Sequence, residues 1–311
     1  DGPKTGHITE EEYAEGWRLS CASKVASDVV ILVPDIASAY QSRMKTADLS
    51  SPQELEIFRA LEEKVRAAGI PFENTFVQVE LTMDEPTLDD TMPDTERLIW
   101  ALQAQGYETV KLRYPAVKKL AHTLREGNFH VFAAGLVEDN VLTVLDVTAD
   151  EQPMYGCAID IGTTTVTGVL LDLKTGEIKA KASSGNGQIR YGADVINRIV
   201  EQQKPGGIAR LQDAIVKETL RPLIAVMCKS AGTTAGRILR MSIASNTTMN
   251  HLLLGVDANP VRMEPYIPTF FRWEDLQAQE LKLPANAAAQ VRLAPNIGSY
   301  VGGDITAGAF T

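Results

Sequence analysis

Between residues 71 and 150 the apolar positions switch back and forth between two spacings. Phe76–Thr82 alternates, with Val77, Val79 and Leu81 set against Gln78, Glu80 and Thr82, the pattern of a half-buried strand. Residues 93–105 read as a helix closed by Gly106, 109–114 as a strand, 115–126 as a helix, and 130–136 with 141–147 as a strand pair. This alternation predicts a small α/β domain. From Tyr155 the pattern changes. Residues 157–162 form a strand entering a Gly/Thr turn, 166–173 a second strand, and 178–183 a third, the last two joined by a turn at 174–177. Helical spacing then covers 193–203 and 207–230. Strand 240–244 opens into Ser245-Asn246-Thr247-Thr248 and a helix through Leu254, and strand 291–294 runs toward a final helix beyond Gly302.

The first 70 residues are organised differently. An acidic stretch at 7–15 precedes Gly16-Trp17-Arg18-Leu19-Ser20-Cys21, and an apolar run at 28–33 predicts a strand stopped by Pro34. So short a segment cannot bury a core of its own. Residues 35–51 read as a polar connector. Ser51-Pro52-Gln53-Glu54 has the form of a helix start, Leu55, Phe58, Leu61 and Val65 follow at helical spacing, and Gly69 supplies the stop. The expected division is therefore 1–34, 35–70, 71–150 and 151–311.

Composition narrows the function classes. The 311 residues are 44% hydrophobic and 23% charged, as expected of a folded globular chain. Thirty basic against forty acidic side chains give a net charge of −10, which argues against nonspecific binding to nucleic acid or an anionic membrane. No apolar run approaches the roughly 18 residues of a spanning helix. Three cysteines lie far apart without a C-x-x-C pair, so neither a disulfide framework nor a structural zinc site is expected, and a reducing cytoplasm is the expected compartment. Cys157 and Cys228 are expected to be buried small hydrophobes. His122 and His130 stand alone and are read as structural or surface residues. The sequence opens Asp1-Gly2-Pro3-Lys4, without an initiator Met or signal segment, and is expected to begin inside a longer protein.

Candidate chemistry is concentrated in two turns. In Asp160-Ile161-Gly162-Thr163-Thr164-Thr165 a carboxylate ends a strand, a glycine permits close backbone approach, and three hydroxyl residues line the turn. Backbone N–H groups and hydroxyls of this kind hold phosphate oxygens, and the carboxylate can bind Mg²⁺ through water. About 140 residues later Gly302-Gly303-Asp304 stands at an expected strand-to-helix junction, where paired glycines would expose N–H groups to an anion and Asp304 would sit opposite Asp160.

This pair of turns resembles the two phosphate motifs of the acetate kinase, sugar kinase, chaperone and actin superfamily. Three further strings narrow the resemblance: residues 186–199, beginning Asn186-Gly187-Gln188-Ile189-Arg190-Tyr191-Gly192; residues 245–255, beginning Ser245-Asn246-Thr247-Thr248; and residues 296–304, Asn296 to Asp304. Together they resemble the ATP-dependent reductive activators of corrinoid proteins. The resemblance implies a remnant of a plant-type 2Fe–2S ferredoxin domain at 1–34, a linker with one helix at 35–70, a middle α/β domain at 71–150, and at 151–311 the first lobe of a ribonuclease H-like ATP-binding domain, truncated. It implies that Cys21 is the fourth ligand of the cluster, the other three preceding Asp1.

The activity implied is conversion of cob(II)alamin to cob(I)alamin on a corrinoid protein, either a methyltransferase subunit or a corrinoid iron–sulfur protein, with an upstream electron donor. ATP and Mg²⁺ are implied as cofactors, the 2Fe–2S cluster only in the full-length protein. Asp160 and Asp304 would organise Mg²⁺ and the attacking water. Gly162, Thr163, Thr164, Thr165, Gly302 and Gly303 would hold phosphates, while Asn246, Thr247 and Thr248 suit either nucleotide or partner contact or a structural cap. Two other readings share the fold: a small-molecule kinase, and an actin- or chaperone-like nucleotide switch. Only an activator would reduce a corrinoid protein faster with ATP.

One thiolate cannot hold a 2Fe–2S centre, and the adenosine-binding segment of such proteins lies beyond the second phosphate turn. The 311-residue chain by itself is therefore expected to be colourless and nearly inactive as an ATPase. Iron analysis, absorption between about 400 and 600 nm, where cysteine-ligated clusters absorb, and an ATPase assay check this; a stoichiometric cluster would contradict it.

Overall fold

The computed structural model describes residues 9–18, 23–24, 45–46, 52–69, 75–274 and 276–309. The expected strand at 28–33, Cys21 and the Ser51 cap lie outside the described residues. The chain divides into two units, Asp1–Ala39 and Tyr40–Thr311. In the first, helix α1 (Glu10–Ala14) starts with a capping box. Thr9 Oγ1 accepts the Glu12 N–H at 3.2 Å, and Glu12 Oε2 accepts the Thr9 N–H at 2.9 Å.

The second unit opens with β1 (Lys45–Thr46), α2 (Pro52–Ala67), β2 (Phe76–Thr82), α3 (Asp94–Ala104), β3 (Thr109–Leu112), α4 (Tyr114–Glu126), β4 (His130–Glu138) and β5 (Val141–Thr148). Strands β2, β4, β5 and β3 form a sheet in that order, antiparallel except for the parallel β5–β3 pair. Leu98 and Leu102 on α3, and Leu120 and Leu124 on α4, repeat every four residues and so share one helix face. They meet Val131, Val144 and Val147 of the sheet in one buried cluster. The expected strand 109–114 ends early, because Pro115 suits the first turn of a helix and lets α4 begin at Tyr114.

A second sheet follows, built from β6 (Tyr155–Ile161), β7 (Thr165–Asp172), β8 (Ile178–Gly185), β9 (Ile238–Ser245), β10 (Leu276–Gln277) and β11 (Gln290–Leu293). With β1 its order is β1-β8-β7-β6-β9-β11-β10. β6, β7 and β8 form the antiparallel meander, while β9 and β11 extend it parallel to β6. A meander continued by parallel strands is the arrangement of the first lobe of a ribonuclease H-like domain. β1 and β10, each of two residues, carry too little alternation to be read from sequence; β1 falls in the expected connector and pairs Lys45 with Ser183.

Helices α5 (Val195–Gln202), α6 (Gly207–Ile215), α7 (Arg221–Ser230) and α8 (Thr247–Leu254) supply buried side chains to the core of this sheet, and α9 (Asn259–Arg262) and α10 (Gly303–Gly308) follow. The single helix expected over 207–230 contains a π-turn at Val216–Leu220. Pro222 lacks an N–H, and the wider turn ahead of it removes the need for a regular bond there. The Ala214 carbonyl accepts the Thr219 hydroxyl at 2.8 Å, and Thr219 Oγ1 in turn accepts the N–H of Gly187 at 3.0 Å.

The two sheets join through Phe76, Ala134, Leu136, Leu145, Met154, Leu239 and Ala288. Polar pairs flank this cluster: Glu138 meets Arg292 at 3.0 Å, and buried Asp146 pairs with Lys119 and, at 3.5 Å, with Arg237. Among the described residues no helix is long and apolar enough to cross a membrane. Leu239 is 2% exposed, so Leu239→Ala should cost about 2–5 kcal/mol, the usual range for deleting a buried leucine side chain. Urea unfolding of the two proteins measures the difference; a loss below about 0.5 kcal/mol, ordinary for surface changes, would show that this junction does not carry the fold.

Candidate functional site

The parallel strands β6, β9 and β11 end at one edge of the larger sheet. Ile161 lies opposite Ser245, and Ile243 opposite Leu293. Ligands of α/β sheets gather at this carboxyl edge, where loops leave adjacent strands. Here the loops are the 162–164 turn, the Asn246 entry to α8, and the 294–302 segment leading into α10.

In the first loop Ile161 pairs with Val166, and the Gly162 N–H donates to the Thr165 carbonyl at 2.9 Å. A Cβ at position 162 would lie 2.7 Å from that carbonyl oxygen, so the hairpin itself demands glycine. Three successive carbonyls of this turn are held from behind. Asn186 Nδ2 donates to Gly162 O at 2.9 Å, Arg198 Nη2 donates to Thr163 O, and the Asn186 N–H donates to Thr164 O at 2.8 Å. In a trans peptide the C=O and the following N–H point in opposite directions. The only cis bond among the described residues is Glu264–Pro265. The N–H groups of Thr163 and Thr164 therefore face away from Asn186 and Arg198, and no backbone carbonyl among the described residues takes them. The Thr164 and Thr165 side chains are exposed. Outward amides and hydroxyls together form a concavity suited to an anion.

The second and third loops are locked to each other. A Cβ on Gly302 would lie 2.3 Å from Asn246 Cα, so the two backbones touch only because position 302 is glycine. Asn246 caps α8 by accepting the Met249 N–H at 2.9 Å, and Thr247 Oγ1 donates to Gly298 O at 2.6 Å. Thr247 and Thr248 are buried. A buried chain continues from Ser245 Oγ to Asn250 Oδ1 at 2.7 Å and from Asn250 Nδ2 to Asn296 Oδ1 at 2.9 Å. Asn296 Oδ1 also accepts the Gly303 N–H at 3.1 Å. The expectation that Gly303 offers its amide to a phosphate is corrected on this point: that N–H is already bonded inside the protein, and the glycine serves to seat α10 against Ala294.

Asp160 lies within reach of the charge of Asp304. Asp160, one residue before the end of β6, lies on the sheet face opposite α5–α8, in a cleft of about 430 Å³ that is also lined by Thr167, Ser242, Arg292 and Ala307. Partial burial, and then the charge of Asp304, push the Asp160 carboxyl above the usual carboxylate range. Two mutually repelling carboxylates and the neighbouring hydroxyls offer oxygen ligands that fit a hard divalent cation, while the outward N–H groups suit the phosphate that would share it. No group of three or more His, Cys, Asp or Glu side chains that could hold a metal occurs among the described residues. Cys157 and Cys228 are buried, and burial pushes the Cys157 thiol up to about 12, so it is no thiolate ligand.

Residues 155–311, half of the chain, match the family described as RACo middle region. The chain belongs to this family. Residues 65–152 match the family described as RACo linker region. The chain is 32% identical over 179 residues to the corrinoid activation enzyme RamQ of Eubacterium limosum, covering 57% of this chain and 30% of that protein. It also resembles a solved structure titled reductive activator for corrinoid, iron–sulfur protein, at 30% identity and a TM-score of 0.66, over 99% of this chain and 49% of that one. The chain thus spans half or less of the length of these relatives.

Within this RACo middle region the structure brings together Asp160, the 162–165 turn, Asn246, Thr247, Gly302 and Asp304. Sequence reasoning assigned no role to Asn186, Arg198, Asn250 or Asn296, although all four lie in the strings that carried the resemblance. Their polar groups point inward, which composition cannot show. The raised Asp160 carboxyl has a consequence for stability. A carboxyl that holds its proton more tightly when folded favours the fold at low pH, and that contribution is lost as pH rises through the folded pKa. Asp160→Asn should therefore raise the thermal midpoint at pH 7 without divalent cation, and the gain should shrink as pH is lowered toward the ordinary carboxylate range. Melting curves across pH measure this; a lower midpoint for the variant at pH 7 would contradict it.

Proposed function

We propose that this chain is part of an enzyme that reductively activates a corrinoid protein, converting cob(II)alamin to cob(I)alamin in an ATP-dependent step. The observation that carries the proposal is the pair of outward Thr163 and Thr164 amides beside two mutually repelling carboxylates, in a chain of the RACo family. The names of RamQ, a corrinoid activation enzyme, and of the solved reductive activator for corrinoid, iron–sulfur protein support a corrinoid protein as partner. A methyltransferase subunit or a corrinoid iron–sulfur protein fits, with an upstream electron donor.

In this reading the segments divide as 1–34 (ferredoxin remnant), 35–70 (linker), 71–150 (small α/β domain) and 151–311 (first lobe of the nucleotide-binding domain). Bound ATP and Mg²⁺ would supply free energy for an uphill one-electron transfer, and a 2Fe–2S cluster with Cys21 among its ligands would supply the electron route. The residues of this chain prepare the nucleotide site. The Thr163 and Thr164 amides, with the hydroxyls of Thr163, Thr164 and Thr165, bind and orient phosphate oxygens. Asp160 and Asp304 hold the cation and accept a hydrogen bond from the attacking water. The close contact of Gly302 with Asn246 fixes the second loop, so that Asp304 stays opposite the turn.

Positioning and electrostatics are the main terms in phosphoryl transfer. Asp160→Asn and Asp304→Asn in the full-length protein should each lower ATP hydrolysis by about 100-fold, the order seen on removing one transition-state stabilising group. Corrinoid reduction followed by visible absorption should fall with it. Turnover near wild type in both variants would remove these residues from the site.

A further inference from the structure

Among the described residues Arg198 is the largest side chain with no exposed surface, at 0%. Its guanidinium spends its donors on neutral acceptors. Nε donates to Gly192 O at 2.8 Å, Nη1 lies 3.5 Å from Gln188 Oε1 and 3.2 Å from Met249 Sδ, and Nη2 donates to Thr163 O. No carboxylate among the described residues pairs with it. Asp194, whose charge acts on it, uses its two oxygens on the N–H and Nδ2 of Asn197, each at 2.8 Å. Burial pulls the Arg198 pKa down to about 10, which still leaves it charged at neutral pH. A buried, unpaired cation is costly to a fold, and a neutral donor could hold a carbonyl as well.

The position of the charge accounts for its retention. Arg198 sits directly behind one peptide unit, with the Thr163 carbonyl toward it and the Thr164 N–H away from it. A cation at the carbonyl end polarises the peptide and strengthens its N–H as a donor at the other end. We propose that Arg198 is a positioning residue of the phosphate site. It fixes the 163–164 peptide with its N–H outward, and its charge is answered by the phosphate on the far side of the turn. This inference rests on the phosphate-turn reading above.

The test is MgATP affinity of the full-length protein by calorimetry, with folding of each variant checked by circular dichroism. Arg198→Met should bind at least about tenfold more weakly, and Arg198→Lys, which keeps the charge, should stay within about threefold of wild type, tenfold being 1.4 kcal/mol. Should Arg198→Met not fold, Arg198→Gln takes its place, since it keeps a donor for Thr163 O without the charge. A folded Met or Gln variant with wild-type affinity would overturn the inference, and so would an Arg198→Lys variant as weak as the neutral ones. Wild-type hydrolysis in Asp160→Asn and Asp304→Asn would instead sink the reading beneath it, so the two failures are separable.

Discussion

The direction faced by two peptide units governs this site. Left to itself, a Gly/Thr turn between antiparallel strands could present carbonyls or amides to the cleft. Asn186 decides the matter at two carbonyls and Arg198 at the one between them. Asn186 leaves no polar group idle: its Oδ1 also accepts the Gln188 N–H and its carbonyl the Ile189 N–H. A buried amide satisfied this fully resists rotation, because turning it would strand several hydrogen bonds in a dry interior. The turn is thus set before any ligand arrives, which is the condition for strong electrostatic binding.

The second loop obeys the same logic with different parts. Backbone contact between Gly302 and Asn246, the Thr247–Gly298 bond and the Asn250–Asn296–Gly303 chain join two strand ends into one rigid piece. What remains free at the opening is charge, from Asp160 and Asp304. Repulsion between them costs the empty fold some stability and makes a cation welcome, a trade common where binding sites are built into stable frameworks.

Much of this was legible in the sequence. Strand-length segments at 157–162, 166–173 and 178–183 marked the meander, and an aspartate followed by glycine and hydroxyl residues marked the turn. The supporting residues were not legible, and α5 shows why. On that helix Ile196 and Val200 are exposed while Arg198 and Gln202 are buried, the reverse of the pattern hydrophobicity predicts. Inward polar residues are chosen for the hydrogen bonds they close, which depend on partners far along the chain. Strand β1 escaped notice because two residues have no period, and the Gly303 amide because its acceptor comes from a side chain seven residues earlier.

The π-turn at Val216–Leu220 ties the helical rod to the site through Thr219 and Gly187. One extra residue in the turn sets the rotational phase of everything beyond it. Were a residue removed so that a regular helix ran through, α7 would rotate by about 100°. Leu223, Ile224 and Met227, all at 0% exposure, would swing off the sheet. Thr219 would let go of the segment that holds Asn186. The length of this rod is therefore constrained by the packing at both of its ends, and a change of length must re-phase both ends together.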